Sequence, residues 1–300
     1  MEWVGLVSLV AALLLTLLAV GVRVPGASLA RAVASRILCA AALADRCGDE
    51  PVLIAAYGSE VGRLVRDHMP TILYERESTA LPVDFRRCRS SVCGDGSARG
   101  EVHASDVGLP VTAFVHVVDC RADAKDAAEV GGANCSDARA GSLYIQYWLY
   151  YADSATLRGV PIAGGRGYHL DDWESVQIRV RPDGSVDERA SSHHGYNHAQ
   201  GIANAGSDAG SGPLTAAAEA VGARPSDGWG PETGMLVVSG GSHAGNAKGF
   251  PRFDRVTPAG RVHLIPLEPI AAEEGDAYGF AITPPWRKRA WDDPDTDSTE

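Results

Sequence analysis

The stretch GYHLDDWESVQIRV, residues 167–180, decides how the chain folds around it. From Trp173 onward it alternates apolar and polar residues, which is the period of a β-strand with one face on a core. The PDGS sequence at residues 182–185 is a turn signal. We therefore predict that this strand is the first arm of a hairpin.

Strand alternation makes a second prediction, about the carboxylates at the start of this strand. Asp172 and Glu174 fall on the same face as Val176 and Ile178, whereas Trp173 falls on the opposite face. A carboxylate aimed at a core is costly unless it is hydrogen-bonded, paired or bound to a cation. The position of these two side chains therefore requires a partner.

The residues before the strand suggest a metal ion as that partner. His169 lies three residues before Asp172, and the glycine-rich entry GGRGYH permits a bend that brings both to one point with Glu174. Asp153 is a candidate additional ligand. A set made mostly of oxygen atoms favours Mg²⁺ or Ca²⁺, with Mn²⁺ or Zn²⁺ as alternatives. The competing interpretation is that Asp172 and Glu174 accept backbone and arginine hydrogen bonds that fix a loop.

Four further histidines follow predicted strands in two other loops. Three of them lie in RASSHHGYNH after the return arm of the hairpin, and one lies in GSHAGN after the strand GMLVVSG: His193, His194, His198 and His243. A single histidine is most often structural, but five histidines in three loops that follow strands indicate a site.

The remaining sequence predicts a mainly β protein. Short β-branched or aromatic runs are separated by glycine, proline, aspartate and serine: TAFVHVVDC, SLYIQYWLYYA, WESVQIRVR, GMLVVSG and RVHLIPL. This spacing favours an antiparallel β-sandwich with peripheral helices over a βαβ fold. One such helix is predicted in IAAYGSEVGRLVRDHM, residues 54–69, ended by Pro70.

The domain organisation predicted from composition has four parts. Residues 1–23 are a membrane anchor, because residues 3–22 carry no charge over the length that a helix needs to span a bilayer. A helical juxtamembrane segment at 24–69 and a β-rich domain at 70–286 follow. That domain carries a loop insertion near 199–234, and residues 287–300 are predicted to be an acidic mobile tail.

The net charge of −11 argues against nucleic acid as a partner, because nucleic-acid binding needs a basic surface that displaces counterions. The predicted partners are instead the membrane, through residues 3–22, and a glycan or lipid ligand.

Two signals conflict on which side of the membrane the domain lies. Arg23, Arg31 and Arg36 follow the anchor, and the positive-inside bias would then keep the domain in the cytoplasm. The six cysteines form three sequence-local pairs that suit an oxidising compartment: Cys39 and Cys47, Cys88 and Cys93, Cys120 and Cys135. We favour a single-pass protein of the cell membrane with an extracytoplasmic domain.

The order of these motifs resembles two related families. A Tyr/Trp-rich strand, then H-x-x-D-W-E, then ASSHHGY, then GSHAG is similar to the necrosis- and ethylene-inducing peptide-like proteins and to a vacuolar-sorting-associated family that shares the DWE and GSHA elements. The resemblance covers residues 70–245.

This resemblance implies an antiparallel β-sandwich with a divalent cation near one edge. It implies that the ion is bound by His169, Asp172 and Glu174 together with an upstream acid matched by Asp153. The family's toxins use this site to engage sphingolipid sugars and damage membranes. The present sequence departs from the pattern at Asp171, where the family has a second histidine, and in its N-terminal anchor and its insertion after His198.

Three functions are compatible with these features. The first is a membrane-anchored, exported binding module whose cation site recognises a glycan, a lipid headgroup or an envelope partner. The second is a metal-dependent hydrolase in which His194 or His243 acts as acid or base. The third is a structural envelope protein whose DWE loop only stabilises the fold.

Overall fold

The computed structural model describes residues 50–75, 80–88, 109–121, 133, 135–154, 169–192, 195–198, 228–248, 253–267 and 279–296. The chain divides into two compact units, Met1–Leu64 and Val65–Glu300. The predicted anchor at residues 3–22, the segment 24–49 and most of the predicted insertion lie outside the described residues. Within the described ranges, no helix is both long and apolar enough to span a bilayer.

Helix α1 spans Glu50–Asp67 and contains the boundary between the two units. It confirms the helix predicted before Pro70 and ends at Asp67, as expected for a chain approaching proline. Gly58 interrupts it with a φ of 81°, which kinks the helix. Within the second unit, which begins at Val65, Arg66 donates hydrogen bonds to the backbone carbonyls of Ala259 and Val262, at 3.3 Å and 3.2 Å.

The second unit is built from β-strands, which confirms the mainly β prediction. In chain order, the strands of the described residues are β1 Thr71–Glu75, β2 Thr112–Asp119, β3 Leu143–Ser154, β4 His169–Val180, β5 Val186–Ser192, β6 Gly195–Asn197, β7 Gly230–Pro231, β8 Met235–Val238, β9 Gly245–Asn246, β10 Phe253–Thr257 and β11 His263–Pro266. The described part of this unit also contains two short α-helices, α2 Phe85–Arg87 and α3 Arg289–Asp292, and three single-turn 3-10 helices at Asp137–Arg139, Ala259–Arg261 and Pro285–Arg287.

The strands form two sheets. The first sheet has the order β10-β1-β8-β9, and the second has the order β11-β2-β3-β4-β5-β6 with β7 paired to β5. Both sheets are mixed, because β1 pairs with β8 and β11 pairs with β2 in parallel. The expectation of wholly antiparallel sheets is wrong in this respect. Parallel neighbours need a long crossover, and here the intervening strands supply it.

The longest pairing joins β3 and β4, and it fixes the positions of the candidate site residues. The antiparallel register runs from Leu143 opposite Val180 to Ser154 opposite His169. Strand β4 turns into β5 through residues 181–185, which confirms the predicted hairpin. Nearly every residue of β3 is buried, so both faces of this strand pack against protein.

One face of β3 and β4 carries an aromatic cluster that includes Trp173. Its ring centroid lies 5.0 Å from Tyr150, 5.4 Å from Phe85 and 5.7 Å from Phe280. The side chain of Asp172, the preceding residue, lies on the opposite face of the sheet, where it contacts His243. The predicted separation of Trp173 from Asp172 is therefore confirmed.

The opposite face of the second sheet meets the first sheet. Asn197 donates a 2.9 Å hydrogen bond to the carbonyl of Gly245 in β9. A Cβ atom on Gly245 would lie 2.9 Å from Cβ of Ala190, so only glycine permits this approach of the two sheets.

The acidic C-terminal segment is packed, which corrects the prediction of a mobile tail for residues 287–296. Ala290 and Trp291 are buried, and Trp291 stacks on His116 of β2 with ring centroids 3.5 Å apart. Burial lowers the pKa of His116 to about 3, so this ring stays neutral beneath the tryptophan. The sequence pattern missed this segment because its contacts are to distant strands rather than to neighbouring residues.

One predicted cysteine pair is confirmed. Cys120, just after β2, is bonded to Cys135, before β3, and the bond closes the connection between these two strands. Cys88 is also disulfide-bonded.

Glu188 in β5 is a buried carboxyl group beneath the first sheet. It is 0% exposed, and its Oε2 accepts hydrogen bonds from the backbone nitrogen and hydroxyl of Thr233, at 2.8 Å and 3.0 Å. Burial raises the pKa of Glu188 from 4.5 to about 7, against the lowering effect of Thr233. The protonated form is thus favoured by folding.

This shift predicts a pH-dependent effect of Glu188→Gln on stability. Because the folded-state pKa is raised, the contribution of the protonated carboxyl is present below pH 4.5 and is lost as the pH rises to about 7. Glutamine does not titrate, so the stability of the variant relative to the parent should rise by about 3 kcal/mol across that window. Urea denaturation at pH values spanning the window measures the difference, and parallel pH profiles would contradict the prediction.

Candidate functional site

A buried histidine–carboxylate pair lies where the two sheets meet. Nδ1 of His243, in the turn between β8 and β9, lies 2.8 Å from Oδ2 of Asp172 in β4. The exposed fractions are 1% for His243 and 6% for Asp172. A carboxylate oxygen accepts hydrogen bonds, so this contact fits an imidazole whose Nδ1 is the donor. The structure therefore brings together two residues that the sequence placed 71 positions apart.

The turn that presents His243 is tight and conformationally unusual. His243 has a φ of 54°, a left-handed conformation that is uncommon for a residue other than glycine. Ser239 anchors the turn, because its carbonyl accepts from the amide of His243 at 3.2 Å and its amide donates to Ala244 at 3.0 Å. Ser154 at the end of β3 also donates to the carbonyl of Gly241 at 3.3 Å. These bonds hold the imidazole against β3 and β4.

Tyr151 of β3 covers one face of this imidazole. The two rings are stacked, with centroids 3.9 Å apart and planes 6° apart. Burial raises the pKa of Tyr151 well above its ordinary value, so its hydroxyl stays protonated. Among the described residues, neither the Tyr151 hydroxyl nor Nε2 of His243 has a hydrogen-bond partner. Two buried polar atoms at one place are thus available to a ligand.

Glu174 is the second carboxylate of this region. It lies opposite Leu149 in the register, on the same side of the sheet as Asp172, which is opposite Tyr151. The hydroxyl of Ser191 donates a hydrogen bond to Oε2 of Glu174. Burial, and then the negative charge of Asp172, raise the pKa of Glu174 well above its ordinary value. The protonated form of Glu174 is therefore favoured beside Asp172.

The other two predicted ligands have different surroundings. His169 is paired with Ser154 at the start of β4, and its Nδ1 lies 3.1 Å from the carbonyl oxygen of Asp171. Asp153 is completely buried and lies opposite Leu170. His169 thus faces the backbone of its own strand.

The predicted four-residue metal site is not assembled in the part of the chain that the structure describes. No group of three or more histidine, cysteine, aspartate or glutamate side chains in these ranges is arranged to hold an ion. Asp172 and Glu174 supply the oxygen ligands that a hard cation prefers, whereas the imidazole of His169 does not join them. The hydrogen bonds found for both carboxylates agree in part with the alternative that they fix a loop, although their partners are a histidine and a serine rather than an arginine.

Asp171 has a structural role that the sequence did not reveal. It adopts a φ of 58°, and its carboxylate accepts from the Tyr150 hydroxyl at 2.7 Å and from the amide of Ala281 at 2.8 Å. The third carboxylate of the motif therefore ties β4 to the C-terminal segment. A cavity of about 310 Å³ lies beside this segment, lined by residues 279–284 and Arg287.

The remaining histidines do not join the pair within the described residues. His198 follows β6, and its Nε2 lies 2.9 Å from the carbonyl oxygen of Pro231 beside β7. His193 and His194 lie outside the described residues. Of the loop histidines that the structure describes, His243 is the one that meets a predicted carboxylate.

Comparison of the chain with protein-family models, with curated proteins and with solved structures finds no match. The resemblance to the necrosis-inducing and vacuolar-sorting-associated families therefore rests on the sequence motifs and stays a prediction.

The buried pair predicts different effects of two substitutions at position 243. His243→Ala leaves Asp172 buried without its partner and should lower the free energy of unfolding by about 3 kcal/mol. His243→Asn should cost less than half as much, because asparagine tolerates the left-handed conformation and its amide can donate to Asp172. Urea denaturation measures both, and equal losses would contradict a role for this hydrogen bond.

Proposed function

We propose that the chain is a membrane-anchored, exported binding module that recognises a ligand at the Asp172–Glu174 carboxylate pair. The observation that carries the proposal is the placement of two carboxylates, the buried Asp172 and the partly buried Glu174, on one side of β4, in the region of two buried polar atoms without partners among the described residues. Such groups are costly to bury unless a ligand completes them.

A divalent cation is the chemistry that best complements this pair. Mg²⁺ or Ca²⁺ is favoured by the oxygen ligands, with Mn²⁺ or Zn²⁺ as alternatives. Two protein carboxylates leave most of the coordination positions of such an ion open. Hydroxyl or phosphate oxygens of a glycan or lipid headgroup are suited to fill them, which matches the ligand class implied by the family resemblance.

Two features support an exported β-sandwich. The Cys120–Cys135 disulfide suits an oxidising compartment. The two contacting sheets are the layer arrangement of a sandwich, and the uncharged run at residues 3–22 is of the length that a membrane anchor needs.

Metal content of the full chain in detergent tests this proposal. The parent, after equilibration with Ca²⁺, Mg²⁺, Mn²⁺ and Zn²⁺ in turn and removal of excess ion, should retain stoichiometric metal. The Asp172→Asn, Glu174→Gln double variant should retain none. His169→Gln serves as the control, since its imidazole faces the backbone, and it should retain the ion. A parent that binds no ion under any condition would contradict the cation-dependent proposal.

A metal-dependent hydrolase is the second candidate, favoured by the Asp172–His243 pair. A carboxylate that orients Nδ1 leaves Nε2 as the atom that exchanges a proton with a substrate or water. His194 is the alternative acid or base predicted from the sequence. Cleavage of ester or phosphodiester substrates that requires metal and is lost in His243→Asn, but not in His198→Asn, would favour the enzyme over the binding module.

A further inference from the structure

The C-terminal segment lies on the second sheet in the manner of a bound peptide. Residues 289–296 follow the extended Lys288 and run across the face of β3 to β5 that is turned away from the first sheet. We call these eight residues the strap, and the surface beneath them the cradle. The cradle lies on the other side of β4 from the Asp172–His243 pair.

The cradle recognises the backbone of the strap through buried side chains. Gln146 of β3 donates to the carbonyl of Ala290 at 2.5 Å. Arg189 of β5, which is 0% exposed, donates to the carbonyls of Pro294 and Thr296 at 2.7 Å and 2.8 Å. Contacts to main-chain carbonyls bind a peptide with little dependence on its side chains.

Two strap aspartates supply charge recognition. Asp295 accepts hydrogen bonds from Tyr144 at 2.9 Å, from Arg179 at 3.2 Å and from the indole of Trp229 at 3.1 Å. Asp293 forms an ion pair with Arg139. These are charge-assisted contacts in a partly desolvated setting, where each contributes more than an exposed ion pair.

Contacts among the side chains of the cradle hold its hydrogen-bond donors in place. The guanidinium groups of Arg179 and Arg189 each lie 4.4 Å from the ring centroid of Trp229. Arg189 also lies 3.9 Å over the ring of Tyr196, and its Nε donates to Gln177 at 2.9 Å. A site whose side chains are fixed in this way loses little conformational entropy when a peptide binds.

We propose that the cradle is a peptide-binding site for an acidic segment with a tryptophan followed by aspartates two and four residues later, and that the strap occupies it in cis. A partner protein that carries such a segment binds when it displaces the strap. The contacts of the strap define what the partner's segment must carry. Its tryptophan ring stacks on His116, and its two carboxylates pair with Arg139 and Arg179. Its backbone carbonyls accept hydrogen bonds from Gln146 and Arg189.

The test weakens the strap in the full chain and offers the wild-type peptide in trans. A fluorescent peptide of residues 289–296, RAWDDPDT, is titrated against the parent and against the Asp293→Asn, Asp295→Asn double variant. The variant should bind the peptide at least about tenfold more tightly than the parent, because two charge-assisted contacts of the competing strap are lost. The same peptide with asparagine at both positions should bind the variant correspondingly more weakly.

The control is Asp292→Asn, which removes the same charge from an exposed residue that makes no ion pair within the described residues. This variant should bind the peptide no more tightly than the parent. A double variant that keeps the parent's circular dichroism spectrum and still fails to bind the wild-type peptide would overturn the proposal.

If the double variant does not fold, amide hydrogen exchange of the parent tests whether the peptide displaces the strap. The amides of Trp291, Asp293 and Thr296 donate hydrogen bonds within the segment 288–296. A large excess of the wild-type peptide should displace the strap and speed the exchange of these amides, and the asparagine peptide should not. Unchanged exchange with the wild-type peptide would overturn the proposal.

Discussion

The antiparallel ladder between β3 and β4 is the constraint on which the rest of the structure depends. Eleven of the twelve residues of β3 pair with β4, and β3 is buried on both faces. A strand covered on one side only could direct its polar residues to water. Here the first sheet covers one side and the strap with the aromatic cluster covers the other, so the polar side chains of the ladder depend on partners within the protein or on a bound ligand.

The charged residues of the ladder are accommodated differently on its two faces. On the side of the strap, buried arginines meet aspartates and aromatic rings, so charge is balanced by opposite charge. On the side of the first sheet, Asp172 meets a histidine and Glu174 meets a serine, and burial together with the charge of Asp172 disfavours the ionised form of Glu174. This imbalance is why the proposed ligand site belongs on the latter face and the proposed peptide site on the former.

Sequence periodicity predicted the parts of the structure that depend on local spacing. The hairpin at residues 182–185, the opposite directions of Asp172 and Trp173, and the helix before Pro70 follow from alternation, turn residues and proline, and each is confirmed. The candidate site was predicted in part. Asp172 and His243 do meet, whereas the imidazole of His169 faces the backbone of its own strand because the left-handed Asp171 changes the direction of the chain.

The sequence by itself determined the mainly β character, the strand segments and the side of β4 on which each residue lies, because these depend on neighbours within a few positions. Only the tertiary structure decided which strands pair in parallel, that Asp171 ties β4 to Ala281, and that the acidic segment 289–296 is a packed strap. An isolated run of aspartates has every feature of a solvated tail. Arg179 and Arg189 make it structured, and they are more than 100 residues away, so no local pattern carries that information.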